Sequence, residues 1–184
     1  MQRKPFWKLL ILGIGYMVLG NIMCTVMTVA LSMFGDVPAV MAIVFVFTLF
    51  IFYSLVFTAA FKDGQRERLM VKNHRVDGPI KGRWAVIGVI MLLVMCIPSV
   101  ILFFDAVYRL FDGYLIPYRM ICGMIYPLAL TIGVNYSEIT EMQPYIALIF
   151  MACYILIPLA TSLGFDVGFK DRLNPDKIMY EKKK

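Results

Sequence analysis

Asp105, Arg109 and Asp112 stand four and three residues apart, a spacing that pairs opposite charges along one side of a helix. Acidic and basic groups held beside a membrane could act on a lipid headgroup, and this trio is the chain's best material for such an enzyme. The other reactive residues are dispersed. Cys24, Cys96, Cys122 and Cys153 stand singly, with no Cys-x-x-Cys pair for thiol exchange and no histidine at metal-ligand spacing. His74, the single histidine, lies in a basic stretch where it meets solvent. No phosphate-binding loop, nucleophile elbow or dinucleotide fingerprint is present, and "NYS" at Asn135 is an isolated sequon. These absences argue against catalysis, and no cofactor or metal is expected.

Stepping from side chains to the segments that must carry them, composition decides the class. Of 184 residues, 61% are hydrophobic and 16% charged, with mean hydropathy +0.79; soluble domains average roughly 45–50% apolar and 25% charged. Residues 9–35, 37–61, 84–104 and 142–165 lack Asp, Glu, Lys, Arg and His altogether. Each run reaches the roughly 20 residues that a helix needs to cross about 30 Å of hydrocarbon. Continuous apolar runs specify helices, since backbone groups in lipid must be satisfied within the segment. The sequence therefore predicts an all-α integral membrane protein, one membrane domain over 1–184, with helices near 9–34, 39–61, 84–104 and 145–164 paired as two helical hairpins. The first run also follows a basic start, but it stays uncharged through Ser32, too far for a signal-peptide core.

Sixteen of the 18 Lys and Arg residues fall in three places. These are the N-terminus (Arg3, Lys4, Lys8), a loop at 62–83 (Lys62, Arg66, Arg68, Lys72, Arg75, Lys81, Arg83) and the tail at 166–184. The positive-inside rule puts all three in the cytoplasm of a cell-membrane protein. The loop bases also suit anionic headgroups, each attracted by about 1 kcal/mol near the surface; nucleic acid is a poor partner for a segment already beside lipid. "FKD" follows both the second and the last helical runs, at 61–63 and 169–171, and is read as an exit mark. An even number of crossings must then separate the two marks. The segment "MICGMIYPLALTIGV" at 120–134, short and carrying Pro127, is accordingly not a span. The external region 105–143 is expected to lie against the membrane or re-enter it. Trp7, Trp84, Tyr108, Tyr114 and Tyr118 are read as interfacial anchors.

On the first helix Gly13, Gly20, Asn21, Cys24, Thr25, Thr28 and Ser32 fall within an arc of about 140° at 100° per residue. Lipid does not squeeze helices together, so small residues and hydroxyls mark the side that packs on protein. The alternative is a polar path formed by Asn21, Thr25 and Thr28. Pro98 and Pro158 are expected to kink the third and last helices. No Asp, Glu, Lys, Arg or His joins any run, which counts against a self-contained pump or protease.

The basic loop "FKDGQRERLMVKNHRVDGPIKGR" and the lysine-rich ending "GFKDRLNPDKIMYEKKK" resemble those of small polytopic membrane proteins of Gram-positive bacteria. The resemblance implies membrane placement and no particular activity. The expected function is a non-catalytic interaction or accessory subunit that packs on itself or on a larger membrane complex; the alternative is an oligomeric permease or channel component.

Overall fold

The computed structural model describes residues 3–31, 37–80, 82–108, 115–131 and 144–170, all helix or turn apart from short connecting stretches. The helices are α1 (Phe6–Leu31), α2 (Pro38–Lys72), α3 (Arg83–Tyr108), α4 (Leu115–Ile121), α5 (Tyr126–Thr131), α6 (Pro144–Ala152) and α7 (Leu156–Lys170). Four stretches are long and apolar enough to cross a membrane: α1, α2, α3 and the Pro144–Lys170 stretch that holds α6 and α7. Large apolar side chains such as Ile11, Val26, Phe50, Leu93 and Leu159 point outward and remain exposed, the distribution expected of a chain whose solvent is hydrocarbon.

The second helix outruns its charge-free stretch. Sequence reading ended it at residue 61 and began a loop; instead α2 continues for 35 residues in all, about 52 Å at 1.5 Å per residue. The extension is helical because Gln65, Arg66, Glu67, Arg68, Leu69 and Met70 are all good helix formers. Pro38 starts the helix at a position where its missing N–H costs nothing. At the other end His74 takes a left-handed conformation, φ 51°. The His74 and Arg75 amides then donate to Val71 and Met70 carbonyls, each at 3.0 Å, which is the Schellman closure. "FKD" at 61–63 is therefore not where this helix stops.

Two interruptions have one cause. Proline cannot donate to the carbonyl four residues back, and its ring collides with that carbonyl. Pro127 acts on Gly123, between α4 and α5; Pro158 acts on Tyr154, between α6 and α7. Both breaks are bridged by tight i→i+3 bonds, Ile125 to Cys122 at 2.9 Å and Ile157 to Tyr154 at 3.0 Å. The Cys153 carbonyl accepts a hydrogen bond from the Tyr53 hydroxyl of α2. In contrast α3 runs through Pro98 as one helix.

Helix α7 lies between α2 and α3. A Cβ on Gly64 of α2 would come within 2.9 Å of the Phe169 amide, and one on Gly164 within 2.6 Å of the Phe57 carbonyl. Gly168 faces the Phe61 backbone, and a Cβ on Gly88 of α3 would fall 2.6 Å from Pro158 Cα. Gly164 and Gly168 form a G-x-x-x-G step, the spacing that lets membrane helices approach backbone to backbone. The most intimate packing thus joins α2 to α7, helices from different halves of the chain.

A polar seam and a charged clasp

The α4–α5 turn packs into the bundle. Cys122, Gly123, Met124 and Ile125 are buried, in a region for which the sequence expectation is a segment that lies against the membrane or re-enters it. Gly123 makes the approach possible, since a Cβ would sit 2.6 Å from the Asn21 carbonyl of α1. The Thr48 hydroxyl of α2 bonds the Phe45 carbonyl at 2.8 Å and reaches the Met124 carbonyl at 3.2 Å. Thr48 stands ten residues inside the start of α2, about 15 Å along the axis.

The first helix completes this seam. The Met124 amide donates to Asn21 Oδ1 at 3.5 Å, while Asn21 Nδ2 donates to the Met17 carbonyl at 3.3 Å and lies 3.6 Å from Met95 Sδ. Thr25 Oγ1 bonds the Asn21 carbonyl at 2.9 Å and approaches the Met120 carbonyl at 3.4 Å. Thr28 bonds the Cys24 carbonyl at 2.8 Å, and the Cys24 thiol donates to the Thr48 carbonyl at 3.3 Å. Gly13, Gly20, Asn21, Cys24 and Thr28 are buried and Thr25 is half-buried; Ser32 lies outside the described residues. The neighbours of this arc are α2, α3 and the α4–α5 turn, and its polar groups bond within the chain.

Tyr118 belongs to the same region. It is buried, stacks on Phe150 with ring centroids 6.0 Å apart, and shares a hydrogen bond with Ser99 at 3.0 Å. The reading of Tyr118 as an interfacial anchor is corrected: α4 turns it inward, where Ser99 satisfies its hydroxyl. Cys122 neighbours the buried Tyr154, so the two helix breaks meet. The Arg119 guanidinium lies 5.5 Å from the Tyr126 ring centre.

A second polar cluster occupies the far end of α2, beyond the apolar run. Asp63 and Glu67, one turn apart, are buried. Trp84 Nε1 donates to Asp63 at 3.0 Å. Glu67 lies 3.5 Å from Arg3 Nε and 3.9 Å from Arg83 Nη1, and accepts the Ile80 amide at 3.4 Å. Arg3 also bonds the Gly78 carbonyl, and Arg83 bonds the Lys4 carbonyl at 2.6 Å. One carboxylate therefore ties together the N-terminal segment, α2, the connection after it and the start of α3. Glu67 thus keeps charged and backbone partners and Asp63 keeps the indole donor, so that removing a partner would leave a buried carboxylate or guanidinium uncompensated.

This clasp revises two sequence assignments. Trp84, read as a headgroup anchor, is 1% exposed because Asp63 captures its indole N–H inside the protein. Arg83, grouped with the lipid-facing bases, is turned onto Glu67 and Lys4. Of the other bases, Lys62, Lys72 and Arg75 are exposed, Arg66 and Arg68 are half-buried, and Lys81 lies outside the described residues. Lys62 sits 5.7 Å from the Tyr16 ring centre and 3.2 Å from its hydroxyl. Trp7 and Tyr108 are exposed, at 70% and 65%; Tyr114 is not among the described residues. The available signal for the clasp was the i, i+4 spacing of Asp63 and Glu67, obscured by the bases around them.

The polar groups of both clusters bond to one another and to the backbone. Among the described residues no three His, Cys, Asp or Glu side chains group to hold a metal ion. Asp105 is buried near the end of α3, whereas Arg109 and Asp112 lie outside the described residues, so the spacing that suggested a lipid-modifying site has no geometry to judge. No family model, curated protein or solved structure matches the chain.

Proposed function

We propose that this chain is a non-catalytic interaction or accessory subunit of a membrane complex. One observation carries the reading: Asn21, Thr25, Thr28, Thr48, Asp63 and Glu67 all bond within the chain. Polar groups used this way hold helices together, and they leave little to line an aqueous route through one protomer. The outward surface is apolar, suited to lipid and to other membrane helices. The likeness of its basic loop and tail to those of small Gram-positive membrane proteins agrees with a cell-membrane site.

The placement we propose has both termini and the extension of α2 in the cytoplasm, since Lys62, Lys72, Arg75 and the tail lysines gather there. Anionic headgroups are the natural neighbours of those bases. Within that frame α4 and α5 form a re-entrant pair from the outer side, supported by the Thr48 contact some 15 Å along α2, about half the ~30 Å hydrocarbon depth.

The mass of the detergent-solubilised complex, with identification of co-purifying proteins, tests the function. Reproducible foreign subunits are expected. A homogeneous oligomer of this chain alone overturns the proposal in favour of a permease built from several protomers. Cysteine reporters at Arg75 and Lys184 should label from inside and those at Asp36 and Asp112 from outside.

A further inference from the structure

We draw no further inference here: the strongest candidate, the open apolar groove of about 700 Å³ between α2 and α7 walled by Leu49, Tyr53, Phe57, Leu156, Ala160 and Leu163, carries none because nothing in the structure shows what covers it.

Discussion

The two sides of α2 hold their neighbours in opposite ways. Toward α7 the contact is made by missing side chains, with Gly64, Gly164 and Gly168 bringing backbone against backbone. Toward the α4–α5 turn, α3 and the N-terminal segment it is made by polar groups: Thr48 on the Met124 carbonyl, Asp63 under Trp84, and Glu67 between two arginines. Lipid competes for dispersion contacts on equal terms with protein, so a membrane helix gains specificity from closeness or from hydrogen bonds. Against α7 this helix relies on closeness, with the Tyr53 hydroxyl bond to the Cys153 carbonyl beside it, and on the other side it relies on bonding. The charges enter only beyond the apolar run, where their desolvation is least costly.

Substitutions can set the two sides against each other. The largest loss is expected from Gly168→Leu, whose side chain must displace the Phe61 backbone; about 3 kcal/mol or more should vanish from reversible unfolding in micelles. Gly15→Leu, at a position with open space around it, should stay within about 0.5 kcal/mol of the parent. Glu67→Gln is expected next, at about 2–3 kcal/mol, because Arg3 and Arg83 lose the charge that holds them while staying largely enclosed. Trp84→Phe should cost about 1–2 kcal/mol by removing the donor to buried Asp63. Smallest is Thr48→Val, at about 0.6 kcal/mol, the usual worth of one interhelical hydroxyl bond in lipid. If Thr48→Val proved as damaging as Gly168→Leu, the contrast between the two sides would be lost.

How far the sequence revealed this arrangement depends on where water and lipid divide. The four long apolar stretches could be read directly, because spanning length and absence of charge are physical requirements of the bilayer. The polar arc on α1 could be read from periodicity, since hydroxyls and glycines on one side of a membrane helix imply a protein neighbour. Which neighbour could not: the α4–α5 turn reaches Asn21 and Thr25 from about a hundred residues away. Trp84 and Tyr118 were misplaced for a related reason. Their residue types favour headgroups, but Asp63 and Ser99 provide internal partners that only tertiary structure brings near. The extension of α2 is not legible from charge, because charge marks the end of hydrocarbon and not the end of helix. The G-x-x-x-G step at Gly164 and Gly168 stands in the sequence, with its second glycine at the charged margin between Asp166 and Lys170.

The proline-induced break in the last stretch has a mechanical consequence. Beside the joint at Cys153–Ile155 stands α2, a rod of 35 residues with no interruption, so bending compliance between them resides almost entirely in one partner. The Tyr53 hydroxyl, fastened to the Cys153 carbonyl, acts as the latch on that joint. Loosening it would release α6 from α2, leaving it held by α3 and by the Phe150–Tyr118 stack, while α7 stays clamped by its glycines. Displacement would then be confined to the half of the molecule farthest from the Glu67 clasp.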